Sequence, residues 1–457
     1  MTLKNKIWIL TEERPKREVI EQILTKFATD QKLKYEIENL KIKPIVKTKK
    51  FCFEYIIEGI TIQNVESFHL FISSGAEGSF VDYLIFYQQE KPKQNDNPIY
   101  VIEETKTTPA ESRNVSVYQR TSKFVFVEAF DHIIKNAEKI MLYSIRTHYN
   151  TIPNTFVFGI KAMRTLGVTI LGFDVSDKKY SEFKDLDELI TLKNSFATKR
   201  NDNIPVSIKR GKNNTVIITG KLEKSGTFSH DPNMGAISIL AKLVRKLDHS
   251  VNDIIVTRHG LSQKMVDTTK NKFVKIANKL KISLHSVSIN ATSIGNSYWK
   301  YSITGEKIVS VFFHILLDYC DTKVIYENHA GCEQGYFEYP DGKLASIEKL
   351  TYKPDIIFID NTSKIIYLIE AETADNVFKP QKGVKQLPLF DTVEKEFCSE
   401  YIGYSFERKV ILYGDNHINL ANSSSKEIIF QLKTDGSFIC FPTCPPLIKS
   451  KIQKINS

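Results

Sequence analysis

Residues 353–373 read KPDIIFIDNTSKIIYLIEAET. Asp355 opens a short apolar run, the polar turn DNTSK follows, and a second apolar run ends in Glu370-Ala371-Glu372. Short runs rich in β-branched residues and bounded by polar turns read as buried strands. The turn folds them into a hairpin. Side chains two apart on a strand share a face, so Glu370 and Glu372 point the same way. The hairpin returns Asp355 to that same end.

The same pattern stands upstream in a looser form. In SFVDYLIFYQ (79–88) Asp82 opens an apolar strand, and in NPIYVIEETKT (97–107) a strand ends in Glu104-Thr105-Lys106. The loop QEKPKQNDNP between them is a solvated hairpin connection. Glu104 and Lys106 share a face, and strand pairing would bring Asp82 to them. Glu103 leaves the register open by one residue; alternation selects Glu104, because Glu103 would face away from Lys106. Two convergent carboxylates suit Mg²⁺, which prefers oxygen ligands and keeps several waters. Such an ion lowers the pKa of bound water and offsets charge on a phosphodiester.

These residues resemble the PD-(D/E)XK nuclease superfamily, to which many type II restriction endonucleases belong. The resemblance implies that Asp82 and Glu104 hold the metal, with the Thr105 carbonyl completing the site. It implies that Lys106 orients or activates water. Val81 stands where the motif's name has proline. In the second stretch Pro354 is literal, and Asp355 and Glu370 take the ligand positions, but Glu372 replaces the lysine. That stretch is expected to be either a second active centre or a degenerate nuclease fold that binds DNA. ESRNVSVYQR (111–120) supplies Arg113, Asn114, Gln119 and Arg120 as candidate DNA contacts. FKPQKGVKQL (378–387) supplies Lys379, Lys382 and Lys385.

The rest of the chain sets the frame. Its 457 residues carry 63 Lys+Arg against 53 Asp+Glu, a formal charge of +10. That balance favours a polyanionic partner, since each neutralised phosphate releases a counterion. Six cysteines scattered over this length form no disulfide framework, and Cys440/Cys444 lack a second pair at zinc-finger spacing. The N-terminal stretch reads as no signal peptide and no segment as a membrane span, so a cytoplasmic protein is expected. Helices are expected at about 15–28, 112–148 and 306–320, strands at TFVFGI and VTILGF, and a linker at 199–212. The middle region alternates VIITG, GAISILAKLVRKL, DIIVT and NKFVKIANKL as strand and helix.

The expected architecture is α/β. It has two restriction-endonuclease-like domains, 1–200 and 301–457, each a mixed sheet flanked by helices. Between them, 201–300 is an α/β region, a candidate for DNA recognition. The expected function is Mg²⁺-dependent, site-specific cleavage of double-stranded DNA by a monomer or homodimer. The alternatives are a DNA-binding protein built on degenerate nuclease domains, or a repair or recombination nuclease. A remote one is a histidine phosphatase, suggested by Arg258-His259-Gly260 after an apolar strand. Ser229-His230-Asp231 is no triad, because consecutive residues cannot converge.

Overall fold

The structure is a computed structural model. It describes residues 4–12, 14–73, 81–105, 115–130, 136–143, 154–196, 206–222, 232–268, 272–290, 299, 301, 305–328, 336–347, 350–418 and 426–456. The chain forms two compact units. The first joins Met1–Gly75 and Tyr87–Lys91 to Tyr301–Ser457; the second is Ala76–Phe86 with Pro92–Lys300. These are not the consecutive segments 1–200, 201–300 and 301–457 that the sequence suggested. The reason lies in long-range packing. Arg14 bonds the carboxylates of Asp318 and Glu327 at 2.9 Å each, and the Phe51 ring lies 4.7 Å from Phe312.

The first unit opens with β1 (Asn5–Thr11), α1 (Arg17–Asp30), β2 (Tyr35–Lys47), β3 (Lys50–Ile62) and β4 (Val65–Ile72). Its four strands lie in the order β2-β3-β4-β1, antiparallel except for β1 beside β4. β1 and β2 add to the strands read from sequence. In α1, Val19, Ile20, Ile23, Leu24 and Phe27 form the buried stripe that helical spacing predicts.

The second unit begins with β5 (Tyr83–Gln88, of which residues 83–86 belong here) and continues with β6 (Tyr100–Thr105), α2 (Val115–Val127), β7 (Glu138–Tyr143), α3 (Asn154–Thr165) and β8 (Val168–Leu171). β5 and β6 are antiparallel, and β6, β7 and β8 are parallel neighbours. Two expectations are corrected here. The helix expected to run to 148 ends early, and EKIMLY beyond it is strand β7. TFVFGI is helix: it lies in α3, which buries Phe156, Phe158, Gly159, Ile160, Ala162 and Met163 on several sides. A short element buried all round carries no period that separates helix from strand.

After α4 (Leu186–Ser195) come β9 (Ser207–Arg210), β10 (Thr215–Thr219), α5 (Pro232–Leu247), β11 (Asp253–Thr257), α6 (Gln263–Thr268), α7 (Lys272–Ala277) and β12 (Ile282–Leu284). They build a sheet in the order β12-β11-β10-β9, parallel but for β9. β9 falls within the expected linker.

The first unit resumes with α8 (Glu306–Tyr319), β13 (Val324–Glu327), β14 (Tyr336–Glu338), β15 (Leu344–Ser346), β16 (Ile356–Asp360), β17 (Ile365–Thr373), α9 (Asp391–Glu396), β18 (Ser405–Tyr413), β19 (Ile428–Leu432), β20 (Phe438–Cys440) and α10 (Pro446–Asn456). Its sheet runs β13-β16-β17-β18-β19-β20. β13, β16 and β17 are antiparallel neighbours; β17, β18 and β19 are parallel. α8 is buried from Lys307 to Leu317, with Phe312 stacked 5.8 Å from Phe430 and Phe313 6.4 Å from Phe358. The protein is therefore α/β with mixed sheets flanked by helices. Among the described residues, no helix is long and apolar enough to cross a membrane.

Candidate active site

Each unit ends its antiparallel hairpin in the same device. The Asp355 carboxylate precedes β16 and accepts the Ala371 N–H of β17 at 2.8 Å. The Asp82 carboxylate precedes β5 and accepts the Glu104 N–H of β6 at 2.6 Å. An aspartate that caps a partner strand in this way has one oxygen fixed by the backbone.

Register decides what faces each aspartate. Ile356 pairs with Ile369, so the next step sets Asp355 opposite Glu370. Tyr83 pairs with Ile102, so the next step sets Asp82 opposite Glu103. Glu103, not Glu104, thus occupies the place of Glu370, and Thr105 that of Glu372. Alternation within β6 holds, but it puts Glu104 on the other face, where the Tyr83 hydroxyl donates to its carboxylate at 2.7 Å. The structure does not bring Asp82 and the Glu104 carboxylate together on one face. Lys106, Arg113 and Asn114 lie outside the described residues. Gln119 lies in α2, and its side chain is outside them too.

The Asp82–Glu103 pair is met by two cations on α2. Lys123 Nζ is 2.8 Å from the Glu103 carboxylate and 3.7 Å from Asp82. Arg120 lies 3.1 Å from Glu103 and 3.8 Å from Asp82, and also donates to the Glu104 carbonyl. Residues three apart on a helix share a face, which lets both reach the strand end. Glu103 is fully buried, and burial, followed by the Asp82 charge, pushes its carboxyl up to about 8 against the pull of Lys123 and Arg120.

The Asp355 centre is charged differently. The groups acting on Glu370 are three carboxylates, Asp355, Glu372 and Glu306, against the ammonium of Lys382. Burial first, then these neighbours, holds the Glu370 carboxyl well above the usual carboxylate range. Glu370 is 6% exposed, and its buried Oε2 has no hydrogen-bond partner among the described residues. Glu372 is 1% exposed; its Oε1 accepts the Thr373 N–H at 2.8 Å and the Thr373 hydroxyl at 3.2 Å. Its Oε2 lies 3.5 Å from Lys382 Nζ, an ion pair rather than a tight hydrogen bond. Glu306 opens α8, and burial and Glu372 raise its carboxyl as well. On β13, burial and Asp355 push the Tyr326 phenol up.

Sequence reading missed Glu306, Lys123 and the role of Lys382. Glu306 reads as an ordinary acid at the positive end of a helix. Its chemistry comes from where α8 starts. Lys382 restores beside Glu372 the cation that the motif lacks. The segment behind β17 carries it there through successive tight turns: Asn376 N–H to Thr373 O, Lys379 to Asn376, Lys382 to Lys379 and Lys385 to Lys382, at 2.8–3.1 Å. Lys379 Nζ donates to the Asn376 side chain at 2.6 Å, and Lys385 is exposed.

The donor set of the Asp355 centre is all carboxylate oxygen, and an orphaned buried oxygen sits within it. That fits a hard divalent cation, which binds one or two carboxylates and completes its shell with water. Asp355 and Glu370 are the residues that would hold it. Among the described residues, no group of three or more Asp, Glu, His or Cys side chains forms a ready-made metal cage. The Asp82 centre fits a metal less well, since two cations, Arg120 and Lys123, already stand against its acids.

Elsewhere, Arg258 follows β11 with φ 58°, and His259 Nε2 donates to the His285 carbonyl at 2.5 Å. Ser229-His230-Asp231 lies outside the described residues. Cys52, Cys320, Cys398, Cys440 and Cys444 are free thiols. Neither protein-family models, nor curated proteins, nor solved structures give a match to this chain.

Proposed function

We propose that the chain is a divalent-metal-dependent DNA endonuclease whose cutting centre is Asp355, Glu370 and Glu372, with Lys382 as its cation. The observation that carries this reading is the cluster of carboxylates at the end of β17, with Glu370 Oε2 buried and unpartnered among the described residues. Buried charge without compensation is costly, so such a cluster either takes up protons or binds a cation. A magnesium ion bound there would lower the pKa of an attacking water and offset charge developing at phosphorus.

The chain's own residues supply the rest. Asp355 is oriented by the Ala371 N–H, and Glu372 is held by Thr373. The Lys382 ammonium can donate to a phosphate oxygen or to water while balancing Glu372. The +10 charge supports a polyanionic substrate. The site-specific, restriction-type form of the activity rests on the motif resemblance. For the Asp82 centre, the cation pair Arg120 and Lys123 favours a second reading: a nuclease-like unit that holds DNA without cutting it.

Incubating the purified full chain with Mg²⁺ or Mn²⁺ and supercoiled plasmid tests the proposal. Nicked or linear product that disappears in Glu370→Gln and in EDTA is the expected result. Cleavage that survives Glu370→Gln, or its absence with both ions, overturns it.

A further inference from the structure

The segment that delivers Lys382 carries a second feature that the cutting centre does not use. Phe378 is 40% exposed, on a loop where Val377, Val384 and Leu387 all turn inward and are buried. The apolar interior was within reach of this segment, and the aromatic ring was left out of it. The loop is also held in one shape. The tight turns from Thr373 to Lys385 fix its path, and the Val384 N–H bonds back to Val377 O at 3.0 Å. Gln381 and Gly383 turn through φ 59° and 46°, and a Cβ on Gly383 would stand 2.5 Å from the Val377 carbonyl oxygen. Successive turns of this kind repeat every three residues, the spacing of Lys379, Lys382 and Lys385.

An exposed ring on a hydrogen-bonded loop, followed by lysines at every third residue, is the chemistry that grips a nucleic-acid strand with its bases unpaired. Aromatic rings stack on any base, and ammonium groups track phosphates without reading sequence. We infer that residues 378–385 form a strand-gripping loop: Phe378 stacks on an unpaired base of the DNA while Lys379 and Lys385 hold flanking phosphates. Lys382, between them, faces the carboxylates that cut. The inference rests on the endonuclease reading for its DNA substrate, and it narrows that substrate. The preferred target is single-stranded DNA, or duplex with a base out of the stack beside the scissile phosphate.

The test uses the full chain in EDTA, so that nothing is cut. The probes are a fluorescein-labelled oligonucleotide, its fully paired duplex, and versions of both carrying 2-aminopurine. Tighter binding to the single strand is expected, with a 2-aminopurine signal that changes on binding. Phe378→Ala should weaken single-strand binding about tenfold and abolish that signal. Phe378→Trp should keep both. Lys379→Met and Lys385→Met should each reduce the log–log salt slope on the single strand by about 0.7 while leaving the signal. Phe378→Ala binding both probes as the parent does, with its signal unchanged, overturns the inference. The two readings fail separately. A chain that stacks the base yet cuts with neither Mg²⁺ nor Mn²⁺ removes the endonuclease and keeps the loop. A chain that cuts while Phe378→Ala changes nothing removes the loop and keeps the endonuclease.

Discussion

The hairpin ends of the two units are built alike and charged differently. In both, an aspartate before the first strand caps a backbone N–H of the second, and a glutamate stands opposite it in register. In both, the second strand continues into parallel neighbours. Around Asp82 and Glu103 the next helix delivers Arg120 and Lys123. Around Asp355 and Glu370 the surroundings add Glu372 and Glu306 and bring one ammonium, Lys382, among the described residues. One scaffold thus sets two cations against its acids in one place and gathers further acids in the other. Only the second has an electrostatic reason to take up a divalent cation.

The largest expected effect lies in cleavage. Asp355→Asn or Glu370→Gln should lower nicking of supercoiled plasmid by at least about a thousandfold, on the scale of ~4 kcal/mol of lost transition-state stabilisation. Asp82→Asn should leave the rate within about threefold. Millimolar Mg²⁺ should also protect the parent chain, but not Glu370→Gln, against thermal unfolding. The reverse pattern, with Asp82→Asn inactive and Glu370→Gln active, would exchange the roles of the two centres.

Stability should separate the centres next. Glu370→Gln removes a buried acid from among other acids and should stabilise the metal-free protein by roughly 1–3 kcal/mol at neutral pH. Lys123→Met strips a cation from Asp82 and the buried Glu103 and should destabilise the second unit by about 2 kcal/mol above about pH 8, where Glu103 is ionised, and by less at neutral pH. That is less than a wholly buried pair would lose, because the lysine is a quarter exposed. Denaturant titration followed by hydrogen exchange at β6 and β17 reads each unit. Shifts of the same sign for both variants would contradict the contrast in charge.

Much of this was legible in the sequence, and the limits have physical causes. The hairpin 353–373 announces itself, because two β-branched runs around DNTSK can do little else, and Asp355, Glu370 and Glu372 follow from strand alternation. Glu103 against Glu104 could not be settled that way. Alternation orders residues within β6, but the face that Asp82 shares is set by register against β5, and a slip of one residue flips it. Glu306, Lys123 and Lys382 reach their sites through a helix start, a helix face and a chain of turns, which leave no mark at motif spacing. The union of residues 1–75 with 301–457 rests on packing between segments hundreds of residues apart, which no local pattern encodes.

A smaller effect follows from the buried Glu103. Its carboxyl rises from 4.5 to about 8 on folding, with burial the main cause. Between those values the folded chain holds a proton that the unfolded chain has released, so stability from this group is greatest at low pH. It falls as pH rises toward the folded value. Hydrogen exchange at β6, measured from pH 5 to 8 against a fully exposed control peptide, should show protection declining by up to a few kcal/mol. Glu103→Gln should flatten that decline; an unchanged slope would place its cause elsewhere.

The smallest effect tests how each centre holds its cation. Arg120 and Lys123 ride on α2, where every helical hydrogen bond shares in placing them, so no single backbone position governs either. Lys382 depends on a turn that closes only because Gly383 has no side chain. Gly383 sits at φ 46°, and a Cβ there would stand 2.5 Å from Val377 O and 2.8 Å from Val377 Cα. Gly383→Ala should cost about 1–2 kcal/mol locally, from the left-handed backbone and the forced retreat of Val377. Amide exchange should quicken at Val384, whose N–H closes the turn onto Val377, and stay unchanged in β16 and β17. With the turn opened, Lys382 drifts from Glu372, and cleavage should fall only severalfold, because Asp355 and Glu370 keep their places. Replacing Lys382 itself by Met should cost more than Gly383→Ala, since a displaced ammonium still compensates part of the acid and an absent one compensates none. Equal losses from the two variants would mean that the turn matters to cutting only as the carrier of that charge. A Gly383→Ala chain with full cleavage and unchanged exchange at Val384 would show that the turn does not set the position of Lys382.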